Sequence, residues 1–99
     1  DAGAGGAAAL AVGRALAALA GPDRQVLVVT HQPQVAACAD TQVVVAKDDD
    51  GSVTTARADV VEGDDRVVEL SRMLAGTPES STTRQAAAEL LETARGGRR

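Results

Sequence analysis

The chain has no Phe, Tyr or Trp among its 99 residues, and it has one Cys, one Met and one His. Without aromatic rings it lacks the side chains on which nucleic-acid bases stack, and a formal net charge of -4 argues against a nucleic-acid-binding surface on this segment by itself. A single cysteine excludes an internal disulfide, which is typical of a reducing cytoplasm. No apolar run approaches the roughly 20 residues that span a bilayer, so no membrane segment is expected.

Alanine and valine dominate the 44% of the sequence that is hydrophobic, and such side chains bury little area each. Burial contributes about 25 cal/mol per Å² of apolar surface, so a small aliphatic core comes close to break-even against chain entropy. A chain of 99 residues is one small domain or part of a larger one. The thin core indicates that this segment packs against something else.

Residues 25–30 carry the clearest structural signal, because 26–29 form an uninterrupted apolar run, Val-Leu-Val-Val. Such a run is typical of a strand that is buried on both faces in a parallel sheet covered by helices. A short helix over 33–39 follows, with Pro in its first turn. Ligands bind at the carboxyl ends of parallel strands, so the only histidine, His31, stands where chemistry usually takes place.

The residues on either side of this strand predict a helix and a hairpin. The helix covers 7–20 and ends at a Gly-Pro pair. Its apolar stripe consists of Ala9, Val12, Leu16 and Leu19. Two β-rich runs over 41–47 and 52–61 flank an Asp-Gly turn, which is a good hairpin signal.

Two more helices complete the predicted fold. One begins at Asp64 and ends at Gly76 with Pro78 behind it, and the other begins at a capping box over 82–85. Their apolar stripes are Val67, Leu70, Met73 and Leu74 in the first, and Ala87, Leu90, Leu91 and Ala94 in the second. The order loop, helix, strand, helix, hairpin, helix, helix predicts an α/β fold whose parallel strand needs neighbours from elsewhere.

Two features could carry chemistry, and each also has a structural interpretation. The glycine-rich residues 1–6 could cradle a phosphate ahead of a helix or serve as a flexible lead-in, since the Lys and Ser/Thr of a P-loop are absent. His31 could touch a phosphate or polarise a water, although a lone histidine is more often structural. Cys38 fits a small core residue, and the three aspartates at 48–50 fit a solvated turn better than a calcium loop.

Four segments of the chain form a specific set. They are Asp-Ala-Gly-Ala-Gly-Gly at 1–6, Thr-His-Gln-Pro-Gln-Val-Ala at 30–36, Arg-Val-Val-Glu-Leu-Ser-Arg-Met-Leu-Ala-Gly at 66–76, and Glu-Leu-Leu at 89–91. Together they resemble the carboxyl-terminal part of the RecN family, the bacterial DNA double-strand-break repair proteins with an ABC-type ATPase head related to SMC proteins. The resemblance spans nearly the whole chain.

This resemblance implies a fold and a site. The fold is the carboxyl-terminal part of a P-loop ABC-type ATPase head, so that residues 1–99 are a partial head domain without its amino-terminal half and coiled coil. Asp1, Ala2 and Gly3 match the D-loop, which lies across the interface between two heads. His31 matches the switch histidine, which contacts the γ-phosphate and the attacking water. Gln32 stands where the family commonly has a large apolar residue. This difference could alter the surroundings of His31 beside it.

The resemblance also implies a function. The complete head would use ATP and Mg²⁺, pair with a second head in a homodimer, and act in recombinational repair of DNA double-strand breaks. DNA would be contacted through the full-length protein, with recombination proteins as partners, in the cytoplasm and at the nucleoid. The P-loop, the signature motif and the Walker B carboxylates are absent from these residues, so the fragment alone is expected to bind no cofactor and to be inactive.

Two other interpretations stay open. Another SMC-like or ABC-type ATPase can also carry Thr-His at the end of a strand, although the Glu-Leu-x-Arg-Met-Leu helix argues against a transporter-type head. A small non-catalytic α/β interaction domain would use His31 structurally. Replacing His31 by alanine separates these classes, because a catalytic histidine affects turnover and a structural one affects stability.

Overall fold

The computed structural model describes residues 5–76 and 80–96, so that the predicted helix terminator Pro78 lies outside the described residues. The elements follow in the order α1 (Gly5–Leu19), α2 (Pro33–Ala37), β1 (Gln42–Asp49), β2 (Thr54–Val61), α3 (Gly63–Ala75) and α4 (Ser81–Gly96). The predicted α/β class is confirmed, with a two-stranded sheet in the described ranges. No helix among these residues combines the length and apolar character that crossing a membrane requires.

The hairpin predicted from the Asp-Gly turn is confirmed. Strands β1 and β2 pair antiparallel, from Gln42 opposite Val61 to Asp49 opposite Thr54. Residues 50–53 form the connection, and the strand bounds differ from the predicted ones by about two residues. Because two strands alone are marginally stable in water, the base of the hairpin depends on its packing against the helices.

Helix α1 packs against α2 at a glycine. A Cβ atom on Gly13 would lie 2.8 Å from Cys38 Sγ and 3.0 Å from Val35 Cα, so the two backbones approach to a distance that only glycine allows. Cys38 is 2% exposed, and its Sγ donates a hydrogen bond to the carbonyl oxygen of Gln34 at 3.4 Å. The predicted core position of the cysteine is confirmed.

Helices α3 and α4 pack against each other and complete a small core. The buried cluster consists of Ala37, Cys38, Leu70, Ala87 and Ala94. Partly buried residues packed against it include Val67, Met73, Leu90 and Leu91. The predicted stripes of both helices therefore face this core, except that Leu74 is 37% exposed.

The ends of these helices are set by local hydrogen bonds. Helix α3 ends as predicted at Gly76, whose φ of 77° is left-handed and whose N–H donates to the carbonyl oxygen of Arg72 at 2.6 Å. Helix α4 begins earlier than predicted, because Ser80 Oγ accepts a hydrogen bond from the N–H of Thr83 at 3.3 Å. The capping box predicted over 82–85 is therefore wrong, since a neighbouring hydroxyl residue caps the helix instead.

The strand predicted over 25–30 does not form in this structure, where no described strand or helix includes these residues. The prediction that both faces of this segment are buried is also wrong here, since Leu27 is 89% exposed and Val29 is 97% exposed. A strand needs ladder partners, and the two described strands pair with each other. The apolar run therefore lies on the surface without a sheet around it.

The apolar stripe predicted for α1 is confirmed at Ala9, which is buried, and at Leu16, which is partly buried, but it is wrong at Val12 and Leu19. Val12 and Leu19 are each about half exposed, whereas Leu10, Gly13 and Ala17 lie towards the core. The reason is the absent side chain of Gly13, which lets the backbone of α1 approach α2 on that side. Val12 and Leu19 are left outside this contact.

Candidate functional site

His31 lies on the turn that precedes α2. Thr30 Oγ1 accepts a hydrogen bond from the N–H of Gln32 at 3.0 Å. The carbonyl oxygen of Gln32 accepts a hydrogen bond from the N–H of Ala36 at 3.0 Å, and Pro33 occupies the first turn of the helix. The backbone that follows His31 is therefore held by two hydrogen bonds and a proline ring.

This turn forms one wall of a groove of about 380 Å³ beside α1. The lining residues are Ala9, Val12, Leu16, Val28, Val29, Thr30, His31, Gln32 and Val35. His31 is the only titratable residue among them, and it is exposed. Its ring makes no hydrogen bond with any residue that the structure describes. The groove thus presents one imidazole, with its hydrogen-bonding capacity open, against an apolar background.

The start of α1 lies near the same turn. A Cβ atom on Gly6 would lie 3.1 Å from Gln34 Nε2, so the first turn of α1 contacts the residues that follow His31. Asp1, Ala2 and Gly3, the predicted D-loop, lie outside the described residues. Their position relative to His31 stays a prediction.

The acidic run lies at the hairpin tip, as the sequence predicts, with Asp48 and Asp49 ending β1 and Asp50 beginning the turn. Asp50 Oδ1 accepts hydrogen bonds from the N–H groups of Val53 and Ser52, at 2.9 and 3.1 Å. Asp49 Oδ1 accepts one from the N–H of Gly51 at 2.9 Å. The bonds from Val53 and Ser52 hold the pKa of Asp50 below its ordinary value of 3.8. Among the described residues no group of three or more His, Cys, Asp or Glu could hold a metal ion.

Arg66 joins three elements, a role that the sequence analysis missed. Its Nη2 donates hydrogen bonds to the carbonyl oxygens of Ala36 and Ala39 at 3.1 and 2.8 Å, at the end of α2. Its Nε donates to Gln42 Oε1 at 3.0 Å, at the start of β1. Burial, and then the charge of Arg95, lower the pKa of the guanidinium, which still stays protonated at neutral pH. The position is structural, because helix-terminal carbonyls favour a cation.

A larger groove of about 650 Å³ lies between the base of the hairpin, α3 and α4, and it does not include His31. Arg66 lines it but is engaged with backbone carbonyls. Arg95 lines it as well and pairs with Glu92 at 3.4 Å. Both arginines already have partners within the fold, and the carboxylates of Asp40, Glu62 and Asp64 in the same lining disfavour an anionic ligand, so the smaller groove at the histidine is the better candidate site.

Bacterial DNA repair proteins match nearly the whole chain. The DNA repair protein RecN of Streptomyces coelicolor is 60% identical over 98 residues, which are 99% of the chain and 17% of that protein. The DNA repair protein RecN of Mycobacterium leprae is 53% identical over 96 residues, or 96% of the chain and 16% of that protein. The DNA repair protein RecN of Deinococcus radiodurans is 45% identical over 91 residues, or 92% of the chain and 16% of that protein.

The matches therefore cover the chain almost completely, whereas the chain spans 16% to 17% of the length of these three relatives. No family model matches the chain. The three relatives share one name and align along both the histidine turn and the helices behind it. The chain belongs to the RecN family.

Proposed function

We propose that the chain is part of an SMC-like ATPase that acts in recombinational repair of DNA double-strand breaks. It would contribute the D-loop and the switch histidine to ATP hydrolysis, as the carboxyl-terminal half of an ATPase head. Family membership supports the repair role, since the relatives are named as DNA repair proteins.

The setting of His31 is the observation that carries this proposal. The imidazole is exposed in a groove. The backbone of the next residue, Gln32, is held by hydrogen bonds to Thr30 Oγ1 and to the N–H of Ala36. Preorganised donors stabilise the charge that develops on a phosphoryl group during transfer, and an imidazole can be such a donor. We propose that His31 contacts the γ-phosphate and the attacking water.

Residues 25–30 would form a strand of a parallel sheet in the complete head. Leu27 and Val29 are almost fully exposed. On α1, the side chains of Val12 and Leu19 are each about half exposed. An exposed apolar surface of this kind marks a contact with other protein, and neighbouring strands would cover it. His31 would then follow the carboxyl end of a central strand, where ligands bind in such sheets.

The proposal implies ATP and Mg²⁺ as cofactors of the complete head. His31 fits one phosphate contact, but the rest of the groove is uncharged, and the described residues include no metal-holding group. The P-loop and the metal ligands would therefore come from other parts of the longer protein, and the fragment alone would bind neither cofactor. Asp1, Ala2 and Gly3 would lie across the interface with the second head. When bound, Mg²⁺ neutralises charge on the phosphate oxygens.

The partners follow from the same proposal. A second copy of the head would complete a homodimer, and DNA would be contacted through the full-length protein, together with recombination proteins. The net charge of -4 and the lack of aromatic residues agree with a DNA surface located elsewhere in that protein. We expect the complete protein in the cytoplasm, at the nucleoid when it acts on DNA.

ATP turnover in a completed head tests the proposal. The chain replaces the matching segment of the complete Streptomyces coelicolor RecN, and kcat is measured for this protein and for its His31→Ala variant. We expect kcat to fall by about 100-fold, the usual effect of removing one transition-state donor. Gln25→Ala, an exposed position in the same segment, serves as the control and should stay within about threefold of the parent. Equal turnover with and without His31 refutes the proposed role.

A further inference from the structure

The orientation of the His31 side chain depends chiefly on its backbone. The ring is exposed and makes no hydrogen bond with the residues described here, so no hydrogen-bonding partner holds it. The direction of its Cα–Cβ bond is set by the turn between Thr30 and Pro33. Any group that fixes this turn therefore also fixes where the imidazole can reach.

Thr30 is the residue that closes the turn. Its Oγ1 accepts the N–H of Gln32 at 3.0 Å and so bridges over the histidine between them. On the other side the turn continues into α2, which is packed tightly on α1 at Gly13. One end of the turn is thus anchored by a helix and the other by a single hydroxyl.

We propose that Thr30 is a positioning residue, whose hydroxyl holds the backbone of His31 so that the imidazole is aimed into the groove before the nucleotide binds. This inference rests on the proposed function of His31. Without the hydroxyl, the segment 25–30 has no described hydrogen bond that ties its end to α2. The imidazole can then still donate a hydrogen bond, but its ring adopts a wider range of orientations. The fraction of bound complexes in a reactive geometry is therefore lower.

The test compares Thr30→Val, which keeps the shape and removes the hydroxyl, with Thr30→Ser, which keeps the hydroxyl. Both are made in the same completed Streptomyces coelicolor head that carries this chain. We expect Thr30→Val to lower kcat by about tenfold with little change in the KM for ATP, and Thr30→Ser to restore it to within about twofold. Thr30→Ala replaces Thr30→Val if the valine variant does not fold.

Hydrogen–deuterium exchange of the peptide that contains Gln32, measured by mass spectrometry on the same completed head, gives a second readout that needs no turnover. We expect exchange about tenfold faster in Thr30→Val and unchanged in Thr30→Ser. Equal exchange rates in the parent, Thr30→Val and Thr30→Ser would show that the Thr30 hydroxyl does not hold the N–H of Gln32. Faster exchange with an unchanged kcat refutes the positioning role, provided that His31→Ala is slow. If His31→Ala turns over normally, the proposed function has failed, and a positioning role for Thr30 fails with it.

Discussion

Gly13 determines how closely α1 approaches α2. A Cβ atom at this position would meet the backbone of Val35 as well as Cys38 Sγ, at 3.0 and 2.8 Å. Backbone cannot rotate away as a side chain can, so the whole helix would have to shift. Added methyl groups in a tight contact typically cost about 1–3 kcal/mol.

Gly13→Ala is therefore expected to lower the free energy of unfolding by about 1 kcal/mol or more, even though alanine is the better helix former by up to about 1 kcal/mol. Urea denaturation measures the change. Gly6→Ala is the matched control, because its Cβ would meet only the flexible amide of Gln34 at 3.1 Å. A Gly13→Ala protein as stable as the Gly6→Ala protein would show that the α1–α2 contact is looser than described.

The sequence predicts some residues of the site and not others. The place of His31 just ahead of α2 follows from the proline that starts that helix, whereas the strand predicted before it does not form in this structure. Arg66 could not be found in this way, because its partners are backbone carbonyls of Ala36 and Ala39, 30 and 27 positions away. Every residue supplies a carbonyl, so only the fold selects which ones an arginine meets.

At the scale of the elements, Arg66 ties α3 to the end of α2 and to the start of β1. We expect Arg66→Met to lower the free energy of unfolding by about 2 kcal/mol, since several charge-assisted hydrogen bonds are lost at a half-buried position. Arg72→Met is the control in the same helix, because Arg72 pairs with Glu69 and remains largely exposed. Its loss should cost less than about 1 kcal/mol. Equal effects in chemical denaturation would show that Arg66 does not connect these elements.

The hairpin turn is expected to loosen in acid. The folded pKa of Asp50 lies below its ordinary value of 3.8, so its carboxylate stabilises the turn above that pH, and the contribution is lost as the pH falls through the folded pKa. An NMR titration of the Asp50 carboxyl, with amide exchange at Ser52 and Val53, measures this. Asp50→Asn should remove the pH dependence of the protection factors of these two amides, which are their exchange rates relative to an unstructured chain at the same pH. A midpoint of 3.8 or higher would contradict the hydrogen bonding of the turn.

Elements whose signals are local were predicted best. The Asp-Gly turn determines the hairpin, and Gly76 ends α3 through its left-handed backbone. The face of α1 was predicted only in part, because Gly13 is neither apolar nor large and yet its smallness creates the contact with α2. The start of α4 was misplaced because residues 80–83 are all hydroxyl residues, any of which can cap a helix.

At the scale of the whole molecule, the described chain leaves apolar surface uncovered. Leu27 and Val29 are 89% and 97% exposed, and residues 25–30 belong to no described strand. A backbone of this kind with unpaired hydrogen-bonding groups is a template for pairing with another chain. The small aliphatic core cannot compensate by itself, which agrees with a segment that is stable in contact with more protein.

The isolated chain is therefore expected to self-associate, as measured by light scattering across a range of concentrations. Val29→Lys places a charge on the exposed run and should shift the population towards monomer. Val53→Lys adds the same charge to an exposed residue of the hairpin turn and should leave association unchanged. A monodisperse wild-type monomer at high concentration would count against an open strand edge.

Single-turnover hydrolysis of ATP prebound to the completed Streptomyces coelicolor head is the most direct measurement of what His31 does. We predict that His31→Ala binds ATP with a Kd within about threefold of the parent and hydrolyses it about 100-fold more slowly, with an unchanged Tm. Hydrolysis at the parental rate, or a lowered Tm with the rate preserved, would contradict the assignment of His31 to phosphoryl transfer.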